Sequence, residues 1–232
     1  MKIAQIRKYD VANGPGIRTT IFVSGCTHNC KNCFNKEYQA FNFGREFTNE
    51  IQDEIIEMVK KTKRLSVLGG EPLQQGWKMV EFLKTIKDET GANVWMWTGY
   101  TFEEIISKKQ ELPYQISALQ YVDVLVDGRF IDSKKDLKLK FRGSSNQRVI
   151  DVKKALENRN VVLVEGYWLI NKWGLLFILC YILVIVAIII ITKMTFFGIF
   201  NNTFNCSNCK RHYDFNWYEI ERLNSLYFFM YF

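Results

Sequence analysis

Three cysteines, Cys26, Cys30 and Cys33, lie within the stretch SGCTHNCKNCFN, residues 24–35. Thiolates are ligands for soft metals, so the spacing C-x3-C-x2-C poses the question of which centre needs three of them so close together. A structural zinc ion takes four ligands, usually as two separated pairs. Here the next cysteine is Cys180. His28 could supply a fourth ligand, but four ligands in so short a loop close poorly round one ion. A [4Fe–4S] cluster on three thiolates instead keeps one iron open to a substrate or cofactor. Incidental thiols and zinc are the competing readings, and the cluster is preferred. The chain opens MKIAQIRKYD, with no apolar run of signal-peptide length. The expectation is therefore an unsecreted, cytoplasmic body, in which six cysteines argue for metal or redox chemistry over disulfides.

Other residues have types and places that suit a site. Gly69 and Gly70 carry no side chains, so backbone there can approach a ligand closely, and Glu71 beside them offers a carboxylate to an ammonium group. Asn13, Gly14, Pro15 and Gly16 form a turn in any reading. Arg18 is read either as a partner for a cofactor's or protein's carboxylate or as a plain surface cation. Asp127 precedes Gly128 at the end of an apolar run, where site residues and turn-forming residues both occur. His28 is read as loop packing or tuning of the cysteine loop. Tyr100 follows a strand end, within reach of the site. Trp95 and Trp97 have strand spacing and are assigned to the core.

The elements that must hold these residues alternate strand and helix. Strands are read at 19–25 (TTIFVSG), 65–70 (LSVLGG), 93–99 (NVWMWTG), 121–128 (YVDVLVDG) and 160–165 (NVVLVE). Helices follow a capping box at Asn49 and Gln52, occupy residues 75–90, and begin again at Thr101 with Glu104. Such alternation implies an α/β fold with a mostly parallel sheet, whose chemistry gathers at the strands' carboxyl ends. The SGC, LGGEP and VDG stretches all fall there. Residues 1–165 hold 26 Lys+Arg against 21 Asp+Glu, and no basic run has the density of a nucleic-acid arm. No nucleic-acid partner is expected.

With these residues in view, the chain resembles the radical S-adenosylmethionine superfamily. The usual form of its cysteine motif has an aromatic residue before the third cysteine. Here Asn32 stands there and Phe34 follows, which is similar to one branch, the activating proteins of anaerobic ribonucleoside-triphosphate reductase. NGPGIR (13–18), GGEP (69–72), WTGYTFEEI (97–105), VLVDGRF (124–130) and RGSSNQRVID (142–151) resemble further segments of that branch, in its order.

The resemblance implies a partial (βα) barrel over residues 1–165. It implies a [4Fe–4S] cluster on Cys26, Cys30 and Cys33, and S-adenosylmethionine held near Asn32, Cys33, Phe34, Gly69, Gly70, Glu71 and Asp127. The implied reaction is reductive cleavage of that cofactor to a 5'-deoxyadenosyl radical, which takes a hydrogen atom from a glycine of the reductase's large catalytic subunit. An electron donor such as flavodoxin is implied as a second partner. Other readings are an activase of a different glycyl-radical enzyme and a membrane-tethered zinc-binding module.

Composition changes near residue 165. Residues 174–191, GLLFILCYILVIVAIIII, carry no charge and just reach the length of a membrane-spanning helix. The region 166–232 is expected to be an atypical tail with a hydrophobic helix. It is read as a membrane anchor, a buried helix for a partner, or a read-through extension. Cys206, Cys209 and His212 form half of a metal or redox site. Catalysis is expected to need residues 1–165 alone.

Overall fold

The residues that form the central strands are apolar on both faces, as strands covered on both sides must be. Arg18–Val23 (β2) is buried along its whole length, and Arg64–Gly69 (β4), Asn93–Trp97 (β5) and Val124–Asp127 (β6) are buried over most of theirs. In the computed structural model, which describes residues 1–167 together with Tyr181 and Ile185, these four pair in parallel in the order β2-β4-β5-β6. Among the described residues the sheet has seven strands, ordered β3-β1-β2-β4-β5-β6-β7. The outer members are Lys2–Asp10 (β1), Arg45–Glu46 (β3) and Arg148–Asp151 (β7), and all three pair antiparallel.

The expected mostly parallel sheet is thus a mixed one. β1 reaches β2 through the short Gly14–Gly16 turn, and a short connection can only join antiparallel neighbours. After Asn158 the chain runs back along β7. The strand expected at 160–165 is not formed: Leu163 makes an isolated bridge to Ile150, and the Val164 amide donates to the Val149 carbonyl at 2.9 Å.

Helices Asn49–Thr62 (α1) and Trp77–Thr90 (α2) cover one face. Ile21, Leu65, Val67, Val94, Met96, Leu125 and Ile150 point into that core with Ile55, Val59, Phe82 and Ile86. The alternate residues Trp95, Val126 and Val149 form a second cluster with Trp97, Phe141 and Tyr167. Trp95 and Trp97 therefore pack as expected, their ring centroids 5.8 Å apart.

Three shorter helices, Phe102–Ser107 (α3), Pro113–Leu119 (α4) and Val152–Asn158 (α5), complete the described unit. The Thr101–Glu104 capping box is present. The cap of α1 is Thr48, whose hydroxyl accepts from the Ile51 amide; the expected Asn49–Gln52 capping box is not formed, since the cap lies one residue earlier and its third helical residue is Ile51.

The chain divides into two units, Met1–Trp168 and Leu169–Phe232. The expected helix at 174–191 and the Cys206, Cys209 and His212 group fall outside the described residues, apart from Tyr181 and Ile185. No helix among the described residues is long and apolar enough to cross a membrane.

Candidate functional site

β2, β4, β5 and β6 run the same way, so the loops that follow them meet at one end of the sheet. A cavity of about 440 Å³ opens there. Cys26, His28, Cys30, Cys33 and Phe34 line it from the loop after β2, and Gly69, Gly70 and Glu71 from the end of β4. Thr98 and Gly99 come from the end of β5, and Gly128 and Phe130 from the end of β6. Its volume lies in the range of small-molecule sites.

The three thiols are free and half-buried. Burial pushes the Cys26 thiol up to about 11, helped by the negative charge of Glu71 and the neighbouring thiols, although an amide hydrogen bond at His28 opposes it. Burial also raises Cys30, with Cys33 adding to the effect. Ligation by iron would remove these protons outright. The loop's path requires Asn29 and Asn32 in the left-handed region, at φ +47° and +53°. Asn tolerates that region better than most residues, which accounts for two of the loop's asparagines.

Backbone bonds hold the loop to its neighbours. Gly25 N–H donates to the Tyr38 carbonyl at 2.8 Å, and Cys26 N–H to that of Gln39 at 3.0 Å. Gly70 and Glu71 donate to the Val23 and Gly25 carbonyls at 2.7 and 2.8 Å. A Cβ on Gly70 would lie 2.6 Å from the Gly25 carbonyl oxygen, and one on Gly69 2.5 Å from that of Val23. Both glycines line the cavity, yet the space their missing side chains leave is filled by the protein's own backbone. They let the cysteine loop dock.

Glu71 is almost fully buried. Its carboxylate accepts from Leu73 N–H at 3.0 Å, Thr98 Oγ1 at 2.7 Å, Gly99 N–H at 2.7 Å and His28 Nε2 at 3.0 Å. Tyr100 does not line the cavity but packs edge-on against His28, ring centroids 4.6 Å apart. Phe34 is exposed, lies 5.0 Å from the Phe130 ring and carries the Lys135 ammonium 4.9 Å above its face.

Two residues expected at the cofactor, Asn32 and Asp127, are not among those lining the cavity. Asn32 is exposed and donates to Asp132 at 2.8 Å. Asp127 is buried beside the cavity wall, with only its neighbour Gly128 lining it. Its carboxylate accepts from Arg148 Nε at 3.0 Å and from the Phe102 amide at 2.8 Å, while Arg148 also grips Glu103.

Arg18 is neither a surface cation nor a carboxylate partner. It is wholly buried and bonded to Ser66, to the carbonyls of Leu65 and Asn93, and to the Asn93 side chain. Burial lowers its pKa to about 10, assisted by the nearby charge of Arg64.

Thr98, Gly99, Gln147 and Arg142 are site residues that the sequence alone did not single out. Gln147 is buried, accepts from the Gly143 and Ser144 amides at 2.8 and 3.2 Å, and donates to the Gly128 carbonyl at 2.9 Å, folding RGSSNQR onto the cavity wall. The available signal was the density of amide, hydroxyl and glycine residues in that segment.

Three soft thiols on one cavity form a donor set that fits an iron–sulfur cluster. Among the described residues, no group of three or more His, Cys, Asp or Glu side chains is placed to grip a single metal ion. A cluster puts each thiolate on its own iron, so the three need not converge on one point.

A family model described as a 4Fe-4S single cluster domain matches residues 12–150. An anaerobic ribonucleoside-triphosphate reductase-activating protein of Vibrio cholerae is 40% identical over 154 residues, which are 63% of this chain and 96% of that protein. The protein of the same description from Escherichia coli is 38% identical over 156 residues, 64% of this chain and 97% of its own length. One from Enterobacteria phage T4 is 34% identical, again over 156 residues, covering 93% of that protein. The chain belongs to the family of anaerobic ribonucleoside-triphosphate reductase-activating proteins. About a third of it lies outside these alignments. The matched model's description, a 4Fe-4S single cluster domain, agrees with the donor set of the cysteine loop.

Proposed function

We propose that the chain activates an anaerobic ribonucleoside-triphosphate reductase by radical S-adenosylmethionine chemistry. In this reading the sheet and its helices act as an open, partial (βα) barrel, and residues 1–165 form the catalytic domain. The observation that carries it is the meeting of Cys26, Cys30 and Cys33 with Gly69, Gly70 and Gly99 round one cavity at the strands' carboxyl ends. When bound, the cluster supplies the electron that cleaves S-adenosylmethionine, whose fragment takes a hydrogen atom from a glycine of the reductase's large subunit.

The chain's own part is to bind, place and enclose. Cys26, Cys30 and Cys33 would hold three irons. Phe34, Phe130 and Phe141 give the cavity an apolar wall that excludes water from a reactive intermediate. Gly128 and Gln147 hold the far wall in place. No side chain has to move a proton in a hydrogen-atom transfer, which suits a site whose Glu71 is fully hydrogen-bonded and whose single histidine is paired with it. The electron comes from a small carrier of the flavodoxin type, and the protein works in the cytoplasm.

The test is anaerobic. The chain is reconstituted with iron and sulfide, reduced, and given S-adenosylmethionine, and 5'-deoxyadenosine is measured beside a Cys30→Ala variant. The expected result is product from the parent and less than about 1% of it from the variant, because the cluster carries the chemistry. Adding a reductase large subunit should then yield an organic radical signal by electron paramagnetic resonance. Zinc in place of a cluster would sink the reading. Product with no radical on the reductase would point to another glycyl-radical enzyme.

A further inference from the structure

Glu71 has no room for a further donor. An ionised carboxylate has about four lone-pair directions. Leu73 N–H, Thr98 Oγ1, Gly99 N–H and His28 Nε2 occupy them, at 2.7–3.0 Å. Glu71 is 1% exposed and the His28 side chain 5%. An ionised carboxylate can only accept, so the histidine is the donor in this contact. The carboxylate therefore joins three chain segments: the cysteine loop through His28, its own turn through Leu73, and the end of β5 through Thr98 and Gly99.

The surroundings are shaped for this contact. A Cβ on Gly99 would lie 2.4 Å from His28 Cδ2, so only glycine leaves space for the imidazole. Tyr100 covers the ring from the other side. A parallel bridge runs alongside: Gln74 Oε1 accepts from the Thr27 amide at 3.0 Å, and its Nε2 donates to Thr27 Oγ1 and Tyr100 Oη at 2.7 and 2.9 Å.

We propose that Glu71 and His28 form a latch that fixes the cysteine loop to the ends of β4 and β5, and that Glu71 is a positioning residue with no direct contact to the cofactor's amino group. The part concerning the cofactor rests on the proposed radical S-adenosylmethionine function. The latch itself is a contact between the chain's own side chains.

The experiment uses the full chain in two states. In the iron-free protein, tryptic cleavage after the exposed Lys31 reports opening of the loop. His28→Ala and Glu71→Gln should each speed that cleavage about tenfold or more, as loss of a buried charge-assisted bond implies. The double variant should be no faster than Glu71→Gln alone, because the His28 contact is already lost there. His28→Gln, which restores a donor, should recover most of the parent's rate. Gly99→Ala should speed cleavage without altering either latch residue, and serves if the Glu71 variant does not fold. In the reconstituted protein, binding of S-adenosylmethionine is measured by equilibrium dialysis. If Glu71→Gln cleaves at the parent's rate while binding falls, the carboxylate is a direct ligand and the latch is overturned. A parent that assembles no cluster defeats the proposed function instead, and the cleavage rates still decide the latch.

Discussion

Arg148 shows how a single residue ties a strand to a helix at this site. It pairs with buried Asp127 and exposed Glu103, and both partners hold its own pKa above the usual arginine value. Removing a partner from a buried charge typically costs about 3–5 kcal/mol. Arg148→Met should therefore lower the unfolding free energy in urea by about 3 kcal/mol at pH 7, since Asp127 keeps only the Phe102 amide. The hydrogen bond from Arg148 holds the Glu103 carboxyl below its ordinary value of 4.5. A depressed carboxylate stabilises the fold above that value and loses its contribution as pH falls through the folded one. The gap between parent and variant should narrow from pH 5 to pH 3, by a small amount because Glu103 is largely exposed. For Asp127 the place before a glycine left a site residue and a turn-former both open, and the cofactor role came from the family resemblance. The guanidinium that occupies Asp127 lies 21 residues away, where no local pattern points to it. Arg18 misled for a similar reason: residue type suggests exposure, and only the fold shows a wholly buried guanidinium served by carbonyls.

At the scale of elements, the sequence was most legible where strands are continuous apolar runs. β2, β4, β5 and β6 stand within one to three residues of their expected bounds, because strands covered on both faces leave an unbroken signal. β1 was missed. Its second half, Arg7, Lys8 and Tyr9, is exposed, so the run reads as a charged terminus. α4 and α5 have seven residues each, too few for a helical period to show. The start of α1 slipped by one residue because Thr48 and Asn49 are both good caps. That slip makes a clean test. Thr48→Ala should cost about 1 kcal/mol, the usual loss for a cap hydroxyl, and Asn49→Ala within about 0.3 kcal/mol of nothing, read as midpoints of urea unfolding. Equal losses would return the cap to Asn49. The cysteines and glycines of the site were legible because chemistry restricts those positions to one residue type. The His28–Glu71 contact was not, since its partners are 43 residues apart and meet only when β2 and β4 pair.

Across the whole described unit, the last residues matter more than a boundary at 165 suggests. Val161, Val162 and Leu163 pack on the main core, while Val164 and Tyr167 pack on the Trp95 cluster. Arg142 Nη2 donates to the Tyr167 carbonyl at 2.7 Å, and the Tyr167 ring lies 5.8 Å from those of Trp95 and Phe141. We propose that a chain ended after Tyr167 suffices for 5'-deoxyadenosine formation at the full-length rate. A chain ended after Asn160 should lose several kcal/mol of stability, at ~1.5–3 kcal/mol for each large side chain no longer buried. Tryptophan emission should shift to the red as Trp95 loses its cover. Equal stability for the two truncations would show that the returning segment contributes nothing.

The latch also has a temporal side. Glu71 follows His28 by 43 residues, and Thr98 and Gly99, just past the end of β5, come later still. Chains are made at about 5–20 residues per second, so the cysteine loop leaves the ribosome roughly 2–9 s before its latch partner exists. During that interval the three thiols lack the His28–Glu71 contact that ties their loop to the end of β4, and they stand open to oxygen and to stray metal ions. Iron delivered then would meet ligands with no fixed spacing. Iron delivered after β5 has docked meets a loop already held in shape, which favours loading the finished chain over the nascent one.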